Sequence, residues 1–300
     1  MLNEFVVLQN RILDVIEKRF ISSEYVLYDY AGLNGEVILP TPEECAQNKP
    51  NALAWNTPIE NGGFFNGLLL VGLVNSWENQ PSEKVANLAR TMLKGLYVLQ
   101  DKSPVPGCIL RGIGADGCFY PASSFDQVIP WFLGLWEYSK SSLAAEAERK
   151  ECRERCYTVV KALEKNNWII PGAKEGFDRG NLFTARRPYD NCVLLFLAVI
   201  LDEMEATDHR VSDLLKERTE EICEGYPTIQ AHESWYASHN FYIMRMLANH
   251  VKDEALRARL YHALKITAEA LPPSIAVWKN HDPALAFSPD WHPLNRVWFE

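Results

Sequence analysis

Four stretches of this chain are apolar on nearly every side, and each is followed after a short turn by a stretch charged along one face. The apolar members are GLLLVGLVNSW (about 64–79), the segment 124–141, YDNCVLLFLAVILDEME (189–205) and ESWYASHNFYIMRMLANH (233–250). Their amphipathic partners begin at EKVANLARTMLKGLYVLQ after Ser82 and continue with 144–166, 209–225 and 254–271. A helix that is hydrophobic all round has to be buried, whereas one with a charged face lies outside. The pattern recurs with periods of roughly sixty, sixty-five and forty-five residues, a repeat of architecture and hardly of sequence. Two concentric rings meet both demands, with inner helices parallel to one another and outer helices antiparallel to them. The expected fold is therefore all-α, an α/α toroid of helical hairpins, with short β segments in the loops at one end. Those loops stand above the amino termini of the inner helices, where peptide dipoles and free N–H groups face a shared funnel.

The rest of the chain fits one domain over 1–300, opened by an amphipathic helix at about 3–20. Residues 21–56 read as a long irregular loop holding two strand-like runs, YVLYDYAG and GEVILP. Loops of that length inside compact domains are more often functional than not. Thr57-Pro58-Ile59-Glu60 has the form of a capping box with proline at the first helical position, and Ser124 with Gln127 has the same form. Ser82 is placed to cap the helix that follows it. The tail 272–300, rich in Pro and Trp, reads as non-helical or weakly helical.

Composition excludes several partners. A formal charge of -9 without basic clusters argues against nucleic acid and anionic membrane. No stretch reaches eighteen uninterrupted apolar residues, and the acidic amino end is unlike a signal peptide. The expectation is a cytoplasmic protein, or a periplasmic or secreted one had a signal peptide been removed. Seven cysteines without a C-x-x-C pair read as free, mostly buried thiols. No cofactor and no metal are expected. Gly112-x-Gly114 lacks the context of a dinucleotide site, and neither a nucleotide loop nor H-E-x-x-H is present.

The stretch from Arg111 to Tyr138, RGIGADGCFYPASSFDQVIPWFLGLWEY, runs a glycine-rich segment straight into an apolar helix. Arg111, Asp116, Asp126 and Gln127 gather at the entrance to that helix, above an aromatic floor. Such a mouth suits a small hydroxylated ligand, most simply a sugar.

The alternation of helices, the aromatic-rich loops, and phrases such as ENGGFFNGLLLVGLVNSW and SSFDQVIPWFLGLWEY resemble the six-hairpin glycosidase superfamily over about 57–271. That superfamily includes unsaturated glucuronyl hydrolases and related glycan-degrading enzymes. The resemblance implies a toroid acting on a small-molecule or oligosaccharide substrate, as a glycoside hydrolase or an unsaturated-uronate hydrolase. Sugar isomerases and epimerases share the architecture, and a non-catalytic sugar-binding protein on a degenerate ring is a third reading. A complete ring needs twelve helices, and nine can be counted here. An incomplete ring, a truncated relative, or a homo-oligomer in which a partner subunit closes the gap all fit.

The chemistry implied by the resemblance needs a carboxyl group to deliver a proton and usually a second one to activate water or stabilise charge. Asp126 and Asp190 are the expected pair, Asp126 as the proton donor and Asp190 as its partner, each in the first turn of an apolar helix and each followed by an amide residue. An acid in that position is also stabilised by the helix dipole whatever the function. Candidates for substrate binding are Trp55, Glu60, Arg111, Tyr120, Gln127, Arg187, His232, Glu233, Trp235 and His239. An arginine fork would grip a uronate carboxylate in two-pronged fashion. Trp55, Tyr120 and Trp235, in loops, would form a stacking wall, whereas Trp131, a turn inside its helix, belongs in the core.

Overall fold

The structure, a computed structural model, describes residues 2–32, 34–182, 188–225 and 234–279. These are mostly helical, and the chain divides into two compact units, Met1–Asn181 and Leu182–Glu300.

The first unit holds α1 (Leu2–Arg19), the short α2 (Pro42–Ala46), α3 (Gly62–Asn79), α4 (Glu83–Asp101), α5 (Phe125–Lys140) and α6 (Glu146–Lys165). A two-stranded antiparallel ribbon, β1 (Ile169–Ile170) with β2 (Arg179–Asn181), closes it. α3 and α5 are the buried pair. From Val128 to Leu135 every side chain of α5 is buried, and the Trp131 indole donates to the Leu96 carbonyl at 2.8 Å. Small residues set how closely the two helices approach. A Cβ on Gly63 would stand 2.9 Å from the Gln127 carbonyl oxygen, and one on Gly67 only 2.1 Å from that of Pro130. Gly134 in turn packs on the Cα of Gly67. Because the contacts ascend together along both sequences, the helices run parallel. The outer helices do the same: Arg90 meets Glu148, Tyr97 meets Cys152, and Asp101 meets Arg155. Two hairpins thus lie side by side in phase, buried helix on buried helix.

Asn66, buried in the middle of α3, fastens the loop after α1 to this pair. Its carbonyl oxygen accepts from the Leu27 N–H at 2.8 Å, and its amide donates to the carbonyls of Tyr25 and Met92. Gly95 of α4 makes room for it, since a Cβ there would lie 2.2 Å from the Tyr25 oxygen. A buried side-chain amide with all its bonds made is tolerated where an unpaired one would cost about 1–3 kcal/mol.

The second unit repeats the arrangement with α7 (Pro188–Glu205), α8 (His209–Gly225), α9 (Ser234–His250) and α10 (Glu254–Lys279). α7 is buried from Cys192 to Leu201, and Arg218 of α8 reaches back to Asn191 near its start, so the hairpin is antiparallel. Glu203 and His250, at the far ends of α7 and α9, approach to 3.6 Å, which makes those two parallel. Asp202 closes the α7–α8 turn. Its carboxylate accepts from the Val211 N–H (3.0 Å), the Thr207 hydroxyl (2.8 Å) and Arg210 (3.4 Å). Burial acts to raise its pKa, but these bonds outweigh it and hold the value below the ordinary carboxylate range. A depressed pKa contributes stability that is present above the unfolded value, near 4, and lost as pH falls through the folded one. Asp202→Asn should therefore cost about 2 kcal/mol at neutral pH and make the melting temperature less dependent on pH below about 4. Thermal unfolding of both proteins across that range checks it.

The nine long helices among the described residues start where the periodicity places them, and Ser82 caps α4 by accepting from the Val85 N–H. Other local expectations fail. YVLYDYAG and GEVILP form no strand, and the described residues of 21–40 contain only the isolated bridge between Ile21 and Leu27. Val26 and Leu27 are buried, whereas Tyr25, Tyr30 and Ile38 are exposed, so the apolar residues of these runs do not form one face that a strand partner would cover. The one capping box in this loop lies elsewhere, at Thr41 with Glu44 opening α2. Thr57–Glu60 caps nothing: the Thr57 hydroxyl donates to the Ala54 carbonyl, and α3 starts later behind Asn61. Ser124 does precede α5, but its hydroxyl oxygen is taken by Arg111, so its box with Gln127 does not form. α10 continues through Pro272 and Pro273 to Lys279, because proline removes one hydrogen bond without forbidding a helical φ. The rest of the 272–300 tail lies outside the described residues. Short β segments occur among the loops, but as β1 and β2 after α6. Cys45, Cys108, Cys118, Cys152, Cys156 and Cys192 are thiols outside any disulfide, and all but Cys118 are buried; the side chain of the seventh, Cys223, lies outside the described residues.

Candidate functional site

The parallel packing of α3 and α5 brings their amino termini together, and the loops leading into both helices close over them. The Gly62 N–H donates to the Arg111 carbonyl at 2.8 Å, and the Asp29 N–H to that of Pro58 at 2.9 Å. Asp29, Glu60, Asn61, Arg111, Ser124, Asp126 and Gln127 thereby form one polar cluster. Four of these, Glu60, Arg111, Asp126 and Gln127, are expected from the sequence; the structure adds Asp29, Asn61 and Ser124.

Arg111 is the centre of charge and is 3% exposed. Its Nε donates to the Glu60 carbonyl at 2.9 Å, Nη1 to the Ser124 hydroxyl, and Nη2 stands 3.9 Å from the Asp126 carboxylate. Burial lowers its pKa, against the opposing pull of Asp126, Glu60 and Asp29. The guanidinium is thus engaged inside the protein on three sides, a positioning role more than a free fork. Gln127, fully buried, accepts the Phe64 N–H on its oxygen at 3.3 Å. Its Nε2 donates to Asn61 Oδ1 at 2.9 Å and to Asp126 Oδ2 at 3.2 Å. Asn61 in turn donates to both oxygens of Asp29, from Nδ2 at 2.6 Å and from its backbone N–H at 2.8 Å.

The three carboxylates sit in unlike surroundings. Burial pushes Asp29 up to about 7; the two Asn61 donors pull it down without cancelling that, and the neighbouring charge of Glu60 adds to the rise. Glu60 is also raised by burial, with the Asn56 N–H and Arg111 opposing. Asp126 is partly exposed at 18% and has the guanidinium beside it. Pro130, four residues on, has no N–H to give, so the helix leaves the Asp126 carbonyl without its usual donor at this same mouth.

A cavity of about 490 Å³ adjoins the cluster, reached through Tyr30 and Asn56, whose neighbours and partners are Asp29 and Glu60. Its wall is mostly apolar, with Tyr30, Ile38 and Tyr120 facing Lys49 and Glu44. The cluster carboxylates are not among its lining residues; the cavity is a neighbouring chamber. Tyr120 is a buried wall residue bonded through its hydroxyl to the Lys49 carbonyl, so it offers little free face. Trp55, 54% exposed, stands in the same loop with its backbone held by Asn51. Asp116 is exposed on a left-handed turn away from the cluster, and Asp178 accepts from the Gly172 N–H.

In the second unit, Asp190 lies in the first turn of α7 as expected, with its side chain outside the described residues. Its neighbour Asn191 is buried and held between Arg218 and Glu221, an amide at a helix start as Gln127 is. Trp235 is not in a loop: it belongs to the first turn of α9, and His239 to the second. The helical stretch read over 233–250 already takes in Trp235, and the helix does start there, at Ser234. Arg187, His232 and Glu233 lie outside the described residues. Among the described residues no group of three or more His, Cys, Asp or Glu could hold a metal ion, and no helix is long and apolar enough to cross a membrane.

Asp29 carries a signal that the pattern of helices hides: a lone acid between two tyrosines, Tyr28 and Tyr30, in a long loop. Asn61, just before Gly62-Gly63, stands where a cap residue belongs. No family model, no curated protein and no solved structure matches the chain.

Proposed function

We propose that this protein is a carbohydrate-active enzyme, a glycoside hydrolase or an unsaturated-uronate hydrolase, whose hairpins belong to an α/α toroid. The observation that carries the reading is the cluster at the paired amino termini of α3 and α5, where three carboxylates of unlike environment surround one buried arginine. Glycoside cleavage needs two carboxyl groups in different protonation states, and the burial that raises Asp29 and Glu60 sets these two apart from an ordinary exposed carboxylate. The adjoining cavity has the volume of a small-ligand site, and the half-exposed Tyr30 on its wall provides a surface for a sugar ring or an attached group. Asp126 is the partly exposed carboxylate of the cluster and the first residue assigned to the reaction. Asp190, at the corresponding helix start of the second unit, is its sequence-derived counterpart.

The test is a screen of glycosides and unsaturated uronates with the full chain, followed by Asp126→Asn. Turnover is expected to fall by about 100-fold or more with an unchanged circular dichroism spectrum. Activity retained in that variant removes Asp126 from the mechanism. A sugar that binds uncleaved under every condition would replace the hydrolase with a binding protein.

A further inference from the structure

We propose that Cys45 and Cys118 are a redox pair, two thiols that a low-molecular-weight disulfide oxidises to a bridge across one wall of the cavity. The pair stands outside the polar cluster, and the inference does not depend on the hydrolase reading above.

Two segments distant in the chain bring these residues together. Cys45 is 3% exposed in α2, one residue after Glu44, and the half-buried Cys118 closes the turn Ala115–Gly117, two residues before Tyr120. The Pro40 carbonyl holds the segments side by side, accepting the Ala115 N–H at 3.0 Å and the Cys118 thiol at 3.4 Å. Gly114 permits this approach, because a Cβ there would lie 2.7 Å from Cys118 Sγ and 2.8 Å from the Pro40 oxygen. Cys118 packs on the small core of Cys45, Ala54, Ile59 and Tyr120, and its thiol interacts with that of Cys45.

Both segments continue into the cavity wall. Glu44 and Lys49 line it on the α2 side and Tyr120 on the other, where the Tyr120 hydroxyl donates to the Lys49 carbonyl. A bridge between Cys45 and Cys118 would add a covalent tie to that single hydrogen bond and fix the width of the wall.

The other described cysteines lack this arrangement. Cys152 and Cys156 lie four apart on α6, which sets their Cβ atoms about 5–6 Å apart, whereas a disulfide needs about 3.8 Å. Both are fully buried, and Cys108 and Cys192 are nearly so. Among the described cysteines, only Cys118 offers a thiol to an oxidant in solution.

The exchange therefore begins at Cys118. Its thiolate attacks one sulfur of glutathione disulfide, forming a mixed disulfide and releasing one glutathione thiolate. Cys45, whose burial favours the protonated thiol, reacts second. It gives up its proton, its sulfur attacks that of Cys118, and the second glutathione leaves as thiolate. The two thiol protons end on the two glutathiones, and two electrons pass from the protein to the oxidant.

The test treats the full chain with glutathione disulfide, blocks the remaining thiols with N-ethylmaleimide and digests the protein without reduction for mass spectrometry. A peptide pair joining Cys45 to Cys118 is expected, removed by dithiothreitol and absent from Cys118→Ser. Because the bridge closes a long loop, oxidation should raise the melting temperature of the first unit by about 5 °C or more in the parent and leave that of Cys118→Ser unchanged. Cys118 carrying glutathione alone, Cys118 bridged to a different cysteine, or no linkage at all would overturn the proposal. A melting temperature lowered by the bridge would overturn it too, since the wall would then have to distort to join the thiols.

Discussion

Gly67→Ala is expected to destabilise the first unit by about 3 kcal/mol or more, while Gly72→Ala, one turn further along the same helix, stabilises it by up to about 1 kcal/mol. The two substitutions add the same methyl group to the same helix. At position 67 the new Cβ would lie 2.1 Å from the Pro130 carbonyl oxygen and 2.4 Å from its carbon, both backbone atoms of α5. They cannot yield, because α5 is packed without exposure at Val128, Ile129, Trp131, Phe132 and Leu133. The helices would have to separate, opening the Gly67–Gly134 contact and the glutamine bridge between their amino termini. At position 72 nothing lies within 4 Å of the added carbon, so only the gain in helix propensity remains. Urea denaturation of the two variants beside the parent measures the difference. Equal stabilities would mean that α3 and α5 are not in contact at Gly67, and the site built at their ends would lose its scaffold.

Arg111→Met is the second large effect, expected to cost about 4 kcal/mol at pH 8. Methionine fills much of the volume but supplies none of the donors. The Glu60 carbonyl and the Ser124 hydroxyl lose their bonds, and Asp126, Glu60 and Asp29 are left around a space with no cation in it. The cost should depend on pH in a definite direction. Without the guanidinium, the folded state favours protonated carboxyls, so folded pKa values rise above unfolded ones. Stability is then retained at low pH and lost as pH rises through the carboxylate range. The gap between parent and variant should accordingly be smaller at pH 4.5 than at pH 8. Denaturant titrations at the two values check the sign, and a pH-independent gap would show that Arg111 acts through packing alone.

Both predictions depend on contacts between residues distant in the chain, Phe64 with Gln127 across 63 residues and Arg111 with Glu60 across 51, and this marks the boundary of what could be read locally. The helices were legible because each is encoded within its own span: a buried helix needs apolar residues on every side, and its outer partner needs one charged face. The boundaries of α3 to α9, the burial of Trp131 and the capping of α4 by Ser82 all follow from residues close in sequence. At the site, Asp126, Gln127 and Glu60 could be named because they lie at or just before helix starts, and Arg111 because it opens the glycine-rich segment that leads into α5.

What those residues do was decided in three dimensions. Ser124 has the sequence of a capping residue, yet its hydroxyl oxygen serves Arg111, since a buried guanidinium leaves donors that cost more unpaired than a solvent-accessible helix start does. Arg111, expected to reach outward for a carboxylate, is spent inward on the loops that hold the site. Asp29 entered the cluster only because Asn66 pins its loop to α3 and α4 and Asn61 turns both donors toward it. The sequence by itself determined where the chain is helical, because backbone period and side-chain polarity are local properties. The tertiary structure alone decided which acid is buried and which stands beside a cation, because desolvation and charge act through space.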